Sequence, residues 1–395
     1  MNGALSSASE KKVRLTAAIS KMSSELMASL LLGSGSILIL IYGIVISATH
    51  LAMLDARRSL RQFFSEHAIF FAALFSYPHF VWSYRFAYQQ GKQFLIRHCF
   101  ALIIFPVLLG LAYAACIALW AVPMKTLPGL GFIENSLLHT GLNMEKYQNA
   151  GQFLFALLFL AQFIASGYHY GMQALGVGYD GARKNGYPLN QKQKQFLTIN
   201  MLALWIMNLC SGYSFVSIIE ARYFGIHPVR FPEGVQVLSW LLFGASVLLV
   251  TRGVLMPIRK ETGKLPPAPL VIPILSLWFW LQPFFQPYGF QLWVVPMAHG
   301  LQYIYYCFKV ESKEASVINK NLKALLLYFT FAVAGYWLFR SIPTALDRAG
   351  LFNHLSANFF FVTAYVFLSL HHYVIDSVVW KSDSKMKQLL QQEGA

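Results

Sequence analysis

About ten stretches of roughly 20 mainly apolar residues occupy most of this 395-residue chain. A helix of that length just crosses the hydrocarbon core of a bilayer. Only 12% of the residues are charged, which is about half of the usual share in soluble proteins. The sequence therefore predicts an all-α fold, a polytopic integral membrane helical bundle with about ten transmembrane helices. Their expected positions are 26–50, 68–88, 99–122, 151–178, 196–221, 235–257, 269–286, 289–309, 324–342 and 357–380.

Lysine and arginine are distributed unevenly between the segments that connect these stretches. With the N-terminus inside, the cytoplasmic segments hold 20 of these residues and the opposite segments hold 9. The positive-inside rule then predicts that both termini are cytoplasmic (N-in/C-in). The same rule accounts for the net charge of +15, so we do not expect nucleic-acid binding. We predict a multi-pass protein of a bacterial inner (plasma) membrane, with a basic cytoplasmic segment at 1–25, a transmembrane domain at 26–380 and a cytoplasmic tail at 381–395.

Histidine occurs at four positions inside the apolar stretches: His79, His169, His299 and the pair His371-His372. In the topology above, all four lie on helices that cross the membrane in the same direction and at similar depth. An imidazole inside hydrocarbon is costly, and ionisable residues there usually mark a site. The pattern predicts a metal or haem centre in the bundle. The alternative is that each histidine only forms a hydrogen bond to a neighbouring helix.

Polar side chains stand within one helical turn of these histidines, on the same faces of their helices. A metal-bound imidazole usually donates its second N–H to a carboxylate, an amide or a carbonyl. We therefore assign a catalytic, orienting or substrate-facing role to Gln173, Gln302, Tyr303 and Asp376.

Two other features lie near the cytoplasmic ends of helices and are expected to have no chemical role. Arg85 is interpreted as a residue whose charge reaches the interface from the end of its helix. The run at 176–181 matches G-x-G-x-x-G, but it follows a membrane helix and not a strand. We interpret that run as a cytoplasmic turn.

The residue types restrict the chemistry of the predicted centre. The four cysteines are scattered and form no C-x-x-C pair, which excludes a thiolate site. Histidine ligands suit iron, copper or zinc, and a histidine-bound iron with open positions can activate O2. Fe2+ is the expected ion, with copper, zinc and haem left as alternatives. The clustered H-x-x-H-H boxes of membrane desaturases are absent from the sequence, which disfavours that di-iron class.

Four short motifs around the histidines resemble those of the Brp/Blh family, the bacterial and archaeal membrane β-carotene dioxygenases. In chain order they are Tyr77-Pro78-His79-Phe80, Tyr168-His169-Tyr170-Gly171-Met172, His299-Gly300-Leu301-Gln302-Tyr303 and His371-His372-Tyr373-Val374-Ile375-Asp376. The resemblance implies an iron held by histidines from several helices, here His79, His169 and His299. The third motif of the family ends in a second histidine where this chain has Tyr303. The fourth ligand would then be His372 or His371.

These features together predict an iron-dependent oxidoreductase, an oxygenase that oxidises or cleaves an apolar substrate. The expected partners are the lipid bilayer, O2 and a lipophilic small molecule of the carotenoid or isoprenoid kind. Three alternatives remain. The first is a proton- or metal-ion-coupled transporter or channel that relays ions through the histidines and Asp376. The second is a haem/copper oxidase-like protein, because His299 and Tyr303 are one turn apart. The third is a structural subunit. The sequence does not determine the oligomeric state.

Overall fold

The structure is a computed structural model that describes residues 70, 72–126, 147–211, 231–263, 266–267, 270–271, 273–275, 278, 291–314, 320–350, 355 and 358–391, without the side chains at 211, 291–294, 314, 320–321 and 391. Within these residues the chain is helical and forms no strand, apart from one isolated bridge between Pro123 and Asn149. The helices are α1 (Tyr77–Tyr88), α2 (Lys92–Arg97), α3 (Phe105–Leu119), α4 (Ala150–Lys184), α5 (Gln191–Ser211), α6 (Glu233–Val250), α7 (Met256–Thr262), α8 (Gln291–Glu314), α9 (Lys320–Tyr336), α10 (Ile342–Arg348), α11 (Phe359–Val379) and α12 (Lys385–Gln391).

Five helical segments in the described part of the chain are long and apolar enough to cross a membrane. They are Phe100–Leu119, Ala150–Lys184, Glu233–Thr262, Leu322–Arg348 and Phe359–Val379. The all-helical, membrane-type architecture expected from the sequence is therefore confirmed. The expected span at 26–50 lies outside the described residues, as does most of the one at 269–286.

A π-helical turn followed by a proline occurs four times among the described helices. The four pairs are Ala72–Ser76 with Pro78, Phe100–Ile104 with Pro106, Thr251–Leu255 with Pro257 and Trp337–Ser341 with Pro343. Proline has no N–H to donate to the carbonyl four residues earlier, and its ring crowds that carbonyl. The wider turn makes room for the ring, so each helix continues past its proline.

Two of the carbonyls that these prolines leave without their usual donor accept a tyrosine hydroxyl instead. The Leu74 carbonyl, four residues before Pro78, accepts a hydrogen bond of 2.7 Å from the Tyr328 hydroxyl. The Leu102 carbonyl, four residues before the next proline, accepts one of 2.6 Å from Tyr88. Each of these hydrogen bonds provides a partner for a backbone carbonyl, because no water is available as a partner inside the hydrocarbon core of a bilayer. The first also ties the start of α1 to α9.

Glycine allows two helices to approach the π-helical turn before α1 closely. A Cβ at Gly300 on α8 would collide with the Phe75 carbonyl oxygen and lie 3.2 Å from Nδ1 of His79. A Cβ at Gly335 on α9 would collide with the side chain of Tyr77. Any larger residue would push the helices apart at these two contacts.

Helix α11 is fixed at its N-terminus by a carboxylate from another helix. Oxygens of Asp347 on α10 accept hydrogen bonds from the backbone N–H groups of Phe360, at 2.8 Å, and Phe361, at 3.0 Å. The first N–H groups of a helix have no partner within the helix, and a negative charge also suits the helix dipole there. Asp347 thereby sets the position at which α11 enters the bundle.

The predicted turn at 176–181 is wrong, because α4 continues through this run to Lys184. Asp180 forms ion pairs with Arg183, at 2.9 Å, and with Lys184, at 2.7 Å, three and four residues later. Pairs at this spacing face each other on a helix and stabilise it. They support the last turn of α4 despite the glycines that precede it.

The expectation for Arg85 is also wrong. Its guanidinium does not simply reach the interface but forms an ion pair with Glu311 on α8, a carboxylate with no exposed surface. The second oxygen of Glu311 lies 3.4 Å from the ammonium of Lys323 on α9. A buried charge is stable only when it is paired, so these two cations account for a carboxylate at this depth.

We predict that Gly300→Ala lowers the free energy of unfolding by ~1–3 kcal/mol, because the added methyl group overpacks the contact with Phe75. Gly110→Ala on α3 is the matched control, since a Cβ there meets nothing within 4 Å. That variant should be neutral or up to about 1 kcal/mol more stable, because alanine is the better helix former. Denaturant unfolding in mild detergent measures both. Equal behaviour of the two variants would contradict the close packing of α8 on this turn.

Candidate metal centre

Four buried histidines from four different helices meet in one layer of the bundle. They are His79 on α1, His169 on α4, His299 on α8 and His372 on α11, with exposed fractions of 1%, 8%, 1% and 0%. The ring centroids of His79 lie 5.0 Å from those of His299 and 4.9 Å from those of His372. Those of His169 lie 4.7 Å and 4.9 Å from the same two rings. The structure therefore brings together four of the five histidines predicted from the sequence.

A hydrogen-bonded chain lies one turn further along three of these helices. The Ser83 hydroxyl donates to the Tyr303 hydroxyl at 2.7 Å, and the Tyr303 hydroxyl donates to Oδ1 of Asp376 at 3.1 Å. Each of the three residues comes four positions after the histidine of its own helix. A four-residue step advances a helix by about one turn, so α1, α8 and α11 run in the same direction and in the same register.

Two glutamines connect α4 to α8 and indicate the relative direction of these helices. Nε2 of Gln173 donates to the His299 carbonyl at 2.9 Å and lies 3.2 Å from Oε1 of Gln302. Gln173 follows His169 by one turn, and Gln302 follows His299 by three residues. Helix α4 therefore runs parallel to the other three, as expected from the alternation of spans. Gln173 thus contacts both the backbone of α8 and the side chain of Gln302.

The nitrogen atoms of the four imidazoles point at one another. Nε2 of His169 and Nε2 of His299 are 3.1 Å apart. Oδ2 of Asp376 lies 3.6 Å from Nε2 of His372 and 3.8 Å from Nε2 of His169. Sequence spacing assigned Asp376 an orienting role, but the structure places this oxygen at the level of the imidazole nitrogens.

Two overlapping sets of these residues have their donor atoms close enough to share one ion. The first is His79, His299 and His372, and the second is His169, His372 and Asp376. Within each set the donor atoms lie within 4.8 Å of one another. Opposite ligands on an ion at about 2.1 Å are separated by roughly 4 Å, so a small side-chain movement suffices. The second set contains two histidines and one carboxylate, the ligands of many non-haem Fe(II) oxygenases.

Six polar atoms in this layer are buried and have no hydrogen-bond partner among the described residues. Leaving a buried polar atom without a partner costs free energy, and native structures rarely do so. A cation bound at the centre would accept one nitrogen from each of these imidazoles and Oδ2 of Asp376, and would so satisfy four of these atoms. The atoms are Nδ1 and Nε2 of His79, Nδ1 of His299, Nδ1 and Nε2 of His372, and Oδ2 of Asp376.

His371 lies outside both sets, although it is adjacent to His372. Its Nδ1 is 3.0 Å from the Tyr84 hydroxyl, and its ring packs edge-on against the Tyr84 ring at 5.1 Å. Consecutive residues on a helix are about 100° apart, so the two histidines face different neighbours. Of the pair, His372 is the one that the structure brings to the centre.

Aromatic rings form much of the wall around the four histidines. Tyr373 stacks on His169 at 4.4 Å, Tyr170 lies 4.6 Å from His299, and Phe80 lies 4.3 Å from His372. These rings exclude water from the layer, which strengthens electrostatic interactions inside it.

Two buried polar residues, Ser83 and Glu311, received no role from the sequence. The four-residue spacing from His79 gives a signal for Ser83. Glu311 follows His299 by twelve residues, about 18 Å along α8 and roughly 120° around it, so this spacing gives no signal for Glu311. The pairing of Tyr84 with His371 has no comparable signal, because it depends on how α1 and α11 are rotated about their axes.

No family model matches this sequence, and comparison with curated proteins and with solved structures finds no match either. The interpretation of this centre therefore depends on its geometry and on the residues that form it.

We predict that His372→Gln and His371→Gln differ sharply in their effect on metal binding. His372→Gln should lower the affinity for added Fe2+ or Co2+ more than about 100-fold, beyond the usual effect of changing a residue that only supports a ligand. His371→Gln should change it less than about threefold, because His371 contacts Tyr84 and not the centre. Metal titration followed by optical spectroscopy on detergent-purified protein measures both. Equal loss in the two variants would contradict the assignment of His372.

Proposed function

We propose that this chain is a membrane-embedded metalloprotein, an iron-dependent oxygenase that acts on a lipophilic substrate of the carotenoid or isoprenoid kind. The observation that carries the proposal is that buried nitrogens of His79, His299 and His372 converge with Oδ2 of Asp376 and have no hydrogen-bond partner in the described part of the chain. Hydrogen bonding between helices, the role of a purely structural histidine, would leave those atoms satisfied. The choice of iron, O2 and a carotenoid-like substrate rests on the resemblance of the four histidine motifs to those of the Brp/Blh dioxygenases.

Iron bound by these residues would supply the capacity to bind and activate O2. His79, His169, His299 and His372 would hold the ion, with Asp376 as a further ligand or as the group that orients His169 and His372. The chain from Ser83 through Tyr303 fixes Oδ1 of Asp376 and leaves its Oδ2 directed at the imidazoles. This arrangement favours a preformed site with little freedom to rearrange.

The protein side chains would also provide the environment that oxygen chemistry requires. The rings of Phe80, Tyr170 and Tyr373 would shield the centre from water. A dry cavity protects reactive species from side reactions. The Tyr303 hydroxyl, held between Ser83 and Asp376, would be able to donate a proton toward the centre.

The proposed topology is the ten-span, N-in/C-in arrangement in a bacterial inner membrane. It would place the histidine layer between the midplane and the cytoplasmic half of the bilayer. An apolar substrate would then reach the centre from the lipid without passing through water. Five membrane-type helices and the concentration of lysine and arginine near the C-terminal ends of α1, α4, α8 and α11 support this arrangement.

Elemental analysis and an optical spectrum of the detergent-purified protein test the metal directly. We expect about one iron per chain without the Soret band of a haem, because one centre of this size holds one ion. The double variant His169→Ala, His299→Ala should lose the iron. A folded, monodisperse protein that is free of metal and cannot be reconstituted with iron, copper or zinc would contradict the proposal.

Turnover tests the reaction class separately from the metal. The iron-loaded protein should consume O2 only when a carotenoid or another isoprenoid is present, and chromatography should reveal an oxidised or cleaved product. Zinc-loaded protein is the matched control, because zinc fills a histidine site but has no redox chemistry. If the protein binds iron but shows no substrate-dependent O2 uptake, the proposal that it is a metalloprotein stands and the proposal that it is an oxygenase is rejected.

We predict that Tyr303→Phe lowers turnover about 10- to 100-fold, because Asp376 loses the hydroxyl that orients its carboxylate. Tyr328→Phe is the matched control. It also removes one tyrosine hydroxyl, but that group bonds to the Leu74 carbonyl. The control should lose stability while its turnover per bound iron stays near that of the wild type. A wild-type rate in Tyr303→Phe would show that the Ser83–Tyr303–Asp376 chain has no part in the reaction.

The second candidate is a proton-coupled transporter, favoured by the pair of buried carboxylates Asp376 and Glu311. Coupled transport by titration normally uses such groups inside the membrane. In liposomes this function predicts that a pH gradient drives the uptake of a transported solute. The Glu311→Gln variant should lose this uptake, and removal of iron should not change it. An oxygenase predicts no such flux.

A further inference from the structure

A cluster of four cations lies at the end of the bundle where α4 ends and α5 begins. Arg183 and Lys184 come from the last turn of α4, Lys194 from the first turn of α5, and Lys387 from the short helix α12. Nζ of Lys194 lies 6.0 Å from the centre of the Tyr179 ring, which adjoins Asp180 on α4. On α12, Met386 precedes Lys387 and is buried in the same core cluster as Val177 of α4 and Tyr306 of α8. The cluster therefore joins three helices that are far apart along the chain.

The carboxylate in this cluster is already shared. Asp180 lies 2.9 Å from the Arg183 guanidinium and 2.7 Å from the Lys184 ammonium, and it accepts a hydrogen bond of 3.2 Å from the Tyr306 hydroxyl. Among the described residues, no carboxylate lies within ion-pair distance of Lys194 or Lys387. Counting these five groups alone, four positive charges face one negative charge.

Two of the positions are unfavourable for a cation on its own. Lys194 stands in the first turn of α5, where the helix dipole and the free N–H groups favour an anion. Lys387 is half-buried, and burial lowers its pKa, which the neighbouring charges of Arg183, Lys184 and Lys194 lower further while Asp180 raises it. The positive-inside rule explains lysines in exposed loops, but it does not explain why they crowd together here.

The cluster is held in place by helix α12 and does not depend on a free tail. The Lys313 ammonium donates to the Leu389 carbonyl at 2.5 Å, and Oε1 of Gln90 accepts from the backbone N–H of Lys385 at 2.9 Å. Met386 and Leu390 are buried in the apolar core between α1, α8 and α11. These contacts fix the face of α12 that carries Lys387.

We propose that Arg183, Lys184, Lys194 and Lys387 form a binding site for the phosphate group of an anionic ligand. A phosphate accepts several charge-assisted hydrogen bonds at once and supplies the missing negative charge. Basic pockets between membrane helices on the cytoplasmic side bind the headgroups of anionic lipids in this way. The bound anion would link α12 to α4 and α5. The site is independent of the metal centre.

The experiment is a binding titration of the full-length, detergent-purified protein by native mass spectrometry. One arm uses phosphatidylglycerol against zwitterionic phosphatidylcholine, and the other uses inorganic phosphate. We expect a retained phosphatidylglycerol adduct that phosphatidylcholine does not replace. Binding of inorganic phosphate that displaces the lipid adduct would identify a free phosphate compound as a ligand of the same site. Equal retention of the two lipids together with no binding of phosphate would overturn the proposal.

The variant for this titration is Lys194→Gln, Lys387→Gln, and the matched control is Lys92→Gln, Lys260→Gln. The control removes the same charge from exposed positions at the same end of the bundle, outside the cluster. The cluster variant should bind phosphatidylglycerol roughly thirtyfold more weakly, as expected for the loss of two lysines near an anionic headgroup. The control should stay within about threefold of the wild type. Equal weakening in both would show general surface attraction and overturn the site. Circular dichroism and gel filtration check that each variant remains folded.

Discussion

Buried imidazole nitrogens without partners are the constraint on which the rest of this structure depends. A single unpartnered nitrogen in a membrane interior costs free energy, and here several converge within a few ångströms of one another. The helices that carry His79, His169, His299 and His372 must therefore keep these four residues at one depth in the bundle. The Ser83–Tyr303–Asp376 chain and the Gln173 bond to α8 maintain that register one turn below the layer.

Backbone irregularities stand directly beside two of the four histidines. Pro78 immediately precedes His79 and follows a π-helical turn, and Gly300 immediately follows His299. The two features meet, because Gly300 packs on the carbonyl of that same turn. A side chain at position 300 would push α8 away from this turn and from the ring of His79. Local departures from ideal helix geometry are typical of functional sites, where the surrounding packing compensates for them.

The charged side chains of the described residues divide the bundle into two regions. The histidine layer contains one carboxylate, Asp376, and aromatic walls that keep water out. The end of the bundle toward α12 contains Arg183, Lys184, Lys194 and Lys387, and Glu311 on α8 has Arg85 and Lys323 as its partners. If the proposed chemistry occurs in the layer, the basic end is the face that meets the phosphate groups of the membrane. Helix α12 belongs to both regions, because Met386 and Leu390 pack in the apolar core next to the histidine layer and Lys387 belongs to the basic cluster.

The sequence by itself determined the all-helical membrane architecture, because apolar stretches of bilayer length have few other folds open to them. Helical spacing also identified the faces that carry Gln173, Gln302, Tyr303 and Asp376, since side chains one turn apart share a face. Only the tertiary structure decided which histidines meet and which charged side chains are buried. Rotation of α1 and α11 about their axes separates His372 from His371, and packing against Arg85 buries Glu311. Such contacts join residues as far as 287 positions apart, and no local periodicity specifies them.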